Sequence, residues 1–347
     1  MLRPVDVTGQ PLVVLTDVEE MDGAALRAGV RGVHAVHCAA RRGTVGRRWP
    51  QNGAIDKPYP VDVVPLIPEF LNRRRVKFTY PLRVMEDLGI DRPALNFVIG
   101  GVALQSDEGA RLVDIFNPYA TVFDQWNAAA SAARGAGLVD EVGGKWHATG
   151  KGRDLFARVR TEADAFLATL TPIAAPDIAR LAGLLGRALA ATQASDVPKD
   201  HIPRTARFKG DGTIAMVALE NAVFGLWQAR DDCHMASWRA AAFDGPTFDL
   251  LTRIWRKEAA NEQELATKLT QQKPDDIRRG LIKLRRDGLV SSEAVAATER
   301  GASMRQAIED ETDRRFFTPW PADVGAQGAW VRDHLTAVNA YLAPPAS

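Results

Sequence analysis

Five basic side chains fall within nine positions, at Arg278, Arg279, Lys283, Arg285 and Arg286. If the stretch is a helix, Ile277, Leu281 and Leu284 take one face and turn the basic groups outward. A helix presented in this way to a major groove carries donors for guanine edges and for phosphates. A solvated charged face has the same pattern, since residues 261–320 hold eleven basic and eleven acidic side chains. Lys145, at the tip of a short Gly-Gly hairpin, and Lys151 and Arg153, which follow the hairpin, are further candidates for phosphate contact. So are Arg47 and Arg48, which belong to a segment (residues 41–83) with ten basic and three acidic side chains. Such a segment supplies sequence-independent attraction to nucleic acid.

A second group is Arg230-Asp-Asp-Cys-His-Met-Ala-Ser-Trp238. It ends a stretch that is apolar nearly all round, so its polar groups are expected near the interior, where they need partners. At helical spacing Asp231 stands one turn before His234 and is expected to orient its imidazole, with Trp227 and Trp238 on the same side. Trp227, Arg230, Asp231, Asp232, His234 and Trp238 are therefore candidates to line a pocket for a small-molecule effector. The alternative is a buried network that ties two halves of the chain together.

Other chemistry is poorly addressed. The two cysteines each adjoin a histidine, as His37-Cys38 and Cys233-His234, with His34 one turn before His37. These are zinc-type donors, but neither pair has the CxxC spacing of a zinc site, and no metal is assigned. There is no Gly-x-Ser-x-Gly elbow, no phosphate loop ending in Gly-Lys-Ser/Thr and no His-Glu-x-x-His. Gly100-Gly101 alone is not a dinucleotide fingerprint, so no catalytic residue and no cofactor is assigned.

The elements that must position these groups come from a repeat. Gly137-Leu-Val matches Gly288-Leu-Val, and Thr149-x-x-Gly152 matches Thr298-x-x-Gly301, with the intervening segment two residues shorter in the second copy. Glu162 and Asp164 then match Glu311 and Asp313. Gly137 and Gly288 stand where a helix ends on a residue of positive φ. Gly143-Gly144 separates two short strand-like runs, a hairpin signal. Each copy thus reads as a helix, a stop, a β-wing and a second helix. The expected fold is mostly α with small β-wings: two winged helix-turn-helix units with pseudo-two-fold symmetry, joined by long helices.

Along the chain, residues 1–92 are expected to form a basic, partly irregular region with a strand at Pro11–Thr16 and a helix at Gly23–Val36. Residues 93–193 are expected to hold the first unit and its flanking helices. In it Ser106 caps a helix through Ile115, and Thr121–Arg134 is the recognition helix, with Asp124, Gln125, Asn127, Ser131 and Arg134 outward. Residues 194–212 read as a linker. Residues 213–347 are expected to hold a buried helix, the second unit with its recognition helix at Pro274–Asp287, and a C-terminal helix.

At 347 residues, with 46% hydrophobic and 25% charged side chains and a net charge of +1, the chain has the composition of a soluble protein of two or three domains. No run reaches the ~20 apolar residues of a membrane helix, and no signal core is evident, so a cytoplasmic protein without membrane contact is expected.

Leu284-Arg-Arg-Asp-Gly-Leu-Val, Thr298-Glu-Arg-Gly and Ile308-Glu-Asp-Glu-Thr-Asp-Arg-Arg-Phe-Phe-Thr-Pro-Trp320 resemble the winged helix of MarR-type regulators. With Arg230–Trp238, they are similar to a group of actinobacterial tandem winged-helix proteins classed as MarR-like. The resemblance covers about residues 92–342. It implies a cytoplasmic transcription regulator that binds double-stranded DNA or senses a ligand, as a monomer with an internal pseudo-dimer or as a homodimer. A small-molecule-binding protein or enzyme on the same scaffold, and a DNA-processing enzyme such as a glycosylase, are the alternatives.

Overall fold

The apolar stretch from Ala215 to Ala240 forms a single helix on which much of the molecule is assembled. The computed structural model describes residues 59–115 and 118–344, which are mostly helical with one small two-stranded antiparallel sheet. The expected strand at 11–16 and helix at 23–36, the candidates Arg47 and Arg48, and His34, His37 and Cys38 lie outside the described residues.

A 3₁₀ turn at Val61–Val63 leads into α1 (Leu66–Lys77) and α2 (Tyr80–Leu88). The carboxylate of Asp91 accepts the Ala94 N–H at 2.9 Å and starts α3 (Arg92–Asn96), which runs on as a π-helical turn over Phe97–Ala103. There follow α4 (Leu112–Ile115), α5 (Asp124–Gly135), the hairpin β1 (Val139–Val142) and β2 (Lys145–Ala148), α6 (Gly150–Ala168) and α7 (Ala175–Ala194). The short α8 (Arg204–Phe208) precedes the central α9 (Ala215–Ala240). Beyond it lie α10 (Gly245–Trp255), α11 (Glu262–Lys268), α12 (Pro274–Arg286), α13 (Glu299–Phe317), α14 (Ala322–Gly325) and α15 (Gly328–Leu342).

Local chemistry sets many of these boundaries. Asp244, Asn261, Thr149 and Thr298 each accept a backbone N–H at the start of α10, α11, α6 and α13, and a cap of this kind stabilises a helix by about 1 kcal/mol. Gly143 and Gly144, with φ of 60° and 74°, make the two-residue turn between β1 and β2, and both central residues of such a turn need positive φ.

Among the described residues, the buried ones form three cores. Phe97, Trp126, Ala129, Ala133, Leu138 and Leu155 belong to the one that holds α3, α5, β1 and α6. Phe248, Leu251, Leu265, Ile277, Leu281, Leu284 and Ile308 belong to the one that holds α10 to α13. Between them, α9 packs against α7, α13 and α1, and α1 also packs against α15.

Three details differ from the sequence reading. Ser106 does not start a helix to Ile115: its hydroxyl accepts the Glu108 N–H in a turn, Gly109 has φ of 79°, and Ala110 pairs with Trp146 beside the hairpin before α4 begins. The helix expected from Thr121 starts at Asp124, because the N–H groups of Thr121 and Val122 donate to the Gln271 carbonyl at 2.8 and 3.0 Å. The Thr121 hydroxyl also accepts the Lys273 N–H at 2.8 Å, so the segments leading into α5 and α12 are tied together. Finally, residues 194–212 contain α8 and bury His201, Ile202, Arg204 and Thr205.

Candidate nucleic-acid interface and the polar network beside it

The step from wing to helix is built alike at both places where the sequence repeats. Thr149 Oγ1 donates to the Gly137 carbonyl at 2.8 Å and accepts the Gly152 N–H at 3.1 Å; Thr298 Oγ1 donates to Gly288 at 2.7 Å and accepts from Gly301 at 3.0 Å. A Cβ on Gly152 would strike the Leu138 carbonyl oxygen, and one on Gly301 that of Leu289. Gly137 and Gly288 have φ of 72° and 70°, as their place after a helix requires. The wings themselves differ. The first is a four-by-four-residue ribbon, whereas the second keeps only the opening bridge, Val290 to Ala297. With two residues fewer and no Gly-Gly turn, the second cannot extend the ladder.

α12 buries Ile277, Leu281 and Leu284 and directs its basic residues to solvent, with side chains of Arg278, Arg279 and Arg286 66%, 71% and 72% exposed. Each of the five cations has an acidic neighbour: Arg278 pairs with Asp275 at 2.9 Å, Arg279 with Asp276, Lys283 with Asp287 at 3.8 Å, Arg285 with Glu262 at 3.0 Å and Arg286 with Asp287 at 3.1 Å. Arg285 is the most engaged, since its Nε also donates to the Ser291 carbonyl. Exposed ion pairs of this type contribute little to stability, and a phosphate can take over such a cation. The matching α5 exposes Asp124, Asn127, Ser131 and Arg134.

The other cationic candidates divide. Lys145 is exposed beside the hairpin turn. Lys151 instead caps α5, donating to the Ala136 carbonyl at 2.8 Å. Within the described part of the 41–83 segment, Arg73 donates to the Asn339 carbonyl, Lys77 to that of Tyr341, and Arg74 pairs with the buried Glu220. These three hold α1 to α15 and α9.

The Arg230–Trp238 group does not gather at one pocket wall. His234 faces α13, with Nδ1 3.2 Å from Thr312 Oγ1 and its ring edge-on to Phe248. Burial lowers its pKa to about 3, so the imidazole is neutral. Asp231 lies on another side of α9, 3.5 Å from His201 Nδ1, and therefore does not orient His234. Asp232 is fully buried and accepts the His201 and Ile202 N–H groups, and contacts His201 Nδ1 at 2.6 Å. Trp227 packs in the central core and Trp238 in the α10–α13 core, so the two rings are not companions. The Asp231 carboxyl is pushed up by burial and by Asp232, against the pull of His201 and Arg204.

Arg230 bridges Glu309 and Asp313 on α13. Arg305, stacked between Phe248 and Trp255, holds the other oxygen of Glu309 at 2.8 Å and Thr252 at 3.0 Å. Burial opposes ionisation of Glu309, but Arg230 and Arg305 outweigh it and hold the carboxyl well below the usual range. Asp313 has less help, and burial raises it to about 6. Sequence reasoning marked Asp313 only as part of a repeat and passed over His201, Arg204, Gln228 and Glu309. The sole signal for Glu309 and Asp313 was acidic residues placed four apart on a helix facing a buried arginine.

Among the described residues no cluster of three or more His, Cys, Asp or Glu side chains is arranged to hold a metal ion. No described helix is long and apolar enough to cross a membrane.

Residues 215–344 match a helix-turn-helix family. The match takes in α9 to α15, and so includes the basic α12, which supports a DNA-binding helix-turn-helix in this part of the chain. No curated protein and no solved structure matches the chain.

Proposed function

We propose that the chain is a DNA-binding transcriptional regulator of MarR-like type, built from two winged helix-turn-helix units related by a pseudo-two-fold axis and responsive to a small molecule. In this reading residues 93–193 form the first unit and residues 213–347 the second, with 194–212 between them and 1–92 as a basic N-terminal region. The observation that carries it is the row of exposed Arg278, Arg279 and Arg286 and half-buried Lys283 on a helix whose apolar face is buried, inside the stretch that matches a helix-turn-helix family.

Of the two matched helices α5 and α12, it is α12 that has the donors to read base edges. α5 is nearly neutral on its outer face and is tied to the entry of α12 through Thr121 and Gln271, so it serves as a support. Lys145 adds a phosphate contact from the wing. Acidic neighbours along α12 weaken non-specific attraction, which leaves a larger share of affinity to base contacts. Arg279→Ala with Lys283→Ala should lower affinity for a selected duplex by about tenfold or more, a change of ~1.4 kcal/mol, and reduce the steepness with which affinity falls as salt rises. Duplex binding that is unaltered in both respects excludes α12 as the reading helix.

A further inference from the structure

We infer that the junction of α8 with α9 is a closed binding site for a small hydroxycarboxylic acid, held by Arg204, Thr205 and Gln228. This deepens the ligand-responsive part of the proposed function, rests on it, and moves the site one helical face away from His234.

Gln228 is fully buried, and neither atom of its carboxamide has a hydrogen-bond partner in the protein. Its direction follows from its neighbours on α9. Asn221 Oδ1 accepts the Gly210 N–H at 2.9 Å, and Phe224 stacks on Phe208 with ring centres 3.9 Å apart. A Cβ at Gly225 would meet Leu189 and Thr205, and Asp232 accepts the N–H groups of His201 and Ile202. These residues stand three, four and seven positions from Gln228, so they share its face, and all of them reach the segment 201–210. Gln228 therefore lies on the face of α9 that the segment 201–210 covers, with Leu189 of α7 reaching the same face.

The opposing side is unsatisfied in part. Arg204 is 8% exposed, its Nε is unpartnered, and among the described residues it forms no ion pair. The buried Thr205 hydroxyl is unpartnered as well. Polar side chains of α8 and α9 thus carry unpartnered atoms where the two elements pack together, although buried polar groups in proteins are almost always paired. Leucine and valine would fill the same space at no such cost.

The donor set specifies the ligand. A guanidinium binds a carboxylate, and a carboxamide with a neighbouring hydroxyl offers both donor and acceptor to a ligand hydroxyl group. The charge is bounded too: Asp231, Asp232 and Asp200 all act on Arg204. A monocarboxylate adds one negative charge there, where a phosphate adds up to two. The segment that covers the site is clamped at its ends, by Asp232 on His201 and by Asn221 on Gly210. Between the clamps lies the five-residue α8, which must release Phe208 from Phe224 and Arg207 from Asp107 to admit the ligand.

Thermal unfolding of the full chain, without DNA, tests this with lactate, propionate and 1,2-propanediol at equal concentration and ionic strength. Lactate has both groups, and each of the others lacks one. In the wild-type chain lactate should raise Tm most, propionate less, and the diol not at all. Gln228→Leu should fold with unchanged or higher Tm and respond equally to lactate and propionate. Arg204→Met should lose both responses; should that variant fail to fold, Thr205→Val replaces it, with a smaller lactate shift expected. No lactate shift in the wild-type chain overturns the inference, as does a shift of full size in Arg204→Met or, in its place, Thr205→Val. Because duplex affinity is not the readout, failure here leaves the role of α12 standing, and loss of the DNA reading leaves this result intact.

Discussion

Arg160 of α6 reaches the central helix at Glu220, 2.7 Å away; at the position of α13 that aligns with it, Glu309 reaches the same helix at Arg230. The two helices have equal length, the same threonine cap and acidic residues in register, yet at this contact their charges are exchanged. A glutamate at position 160 would face Glu220, and an arginine at 309 would face Arg230. Each outer helix is therefore fitted to its own place on α9, and the wrong pairing is penalised by like charges near the interior. The outer surfaces differ in the same way, with cations on α12 and, on α5, one acidic and one basic residue, Asp124 and Arg134, beside Asn127 and Ser131. What the two aligned stretches share is backbone chemistry, and what separates them is the surface each presents.

The shared part is tested most strongly at its two glycines. Gly152→Ala and Gly301→Ala each drive a methyl group into a backbone carbonyl oxygen, that of Leu138 or Leu289. Neither oxygen belongs to a flexible side chain that can turn aside. Each substitution should cost about 3 kcal/mol or more in chemical denaturation, beyond ordinary overpacking. Similar losses are the expected result. A large loss at one glycine with tolerance at the other would break the equivalence of the two steps.

The divergent part is tested by removing one charge from each pair. Arg160→Gln leaves Glu220, 1% exposed, with Arg74 as its remaining cation, and should destabilise by about 2 to 3 kcal/mol. Glu309→Gln leaves Arg230 with Asp313 and leaves Arg305 the amide oxygen in place of a carboxylate, at a contact more solvated than Glu220, and should cost about 1 to 2 kcal/mol. The reverse order in denaturant titrations would show that the α13 contact, and not the α6 contact, anchors the central helix.

The shared features were legible in the sequence because they are local. Gly137, Gly288, Gly143-Gly144, Thr149 and Thr298 obey turn and cap rules that act over a few residues, and Ile277, Leu281 and Leu284 declare a buried face by their period. The pairings were not. Arg74 and Glu220 are far apart in the chain, and nothing near Glu220 announces its partner. Asp231 and His234 misled for the same reason: three positions apart, they fit a local pair, but α9 is surrounded, and each finds a partner on a different helix or segment, His201 and Thr312. His201 itself lies in a Pro-containing stretch that reads as a linker, and only the buried Asp232 gives it a place.

The smallest expected effect separates the two carboxyl groups that share Arg230. Burial raises Asp313 to about 6, with Glu309 adding to the rise and Arg230 opposing it, from an ordinary value of 3.8. Between pH of about 4 and 6 the folded chain keeps a proton on Asp313 that the unfolded chain has released. The native state binds more protons there, so this group makes stability fall as pH rises through the window, and its contribution is level above it. Glu309 has the opposite sign: held well below the usual range, it supports the fold above an unfolded-state value near 4.5 and loses that support as pH falls. Asp313→Asn should therefore flatten stability between pH of about 4 and 6 by roughly 1 kcal/mol relative to the wild-type chain, after allowance for partial exposure. Urea titrations at both ends of the window measure that difference. An Asp313→Asn curve parallel to the wild-type one would mean that Arg230 keeps both carboxylates ionised, and that the second contact is as strongly charge-paired as the first.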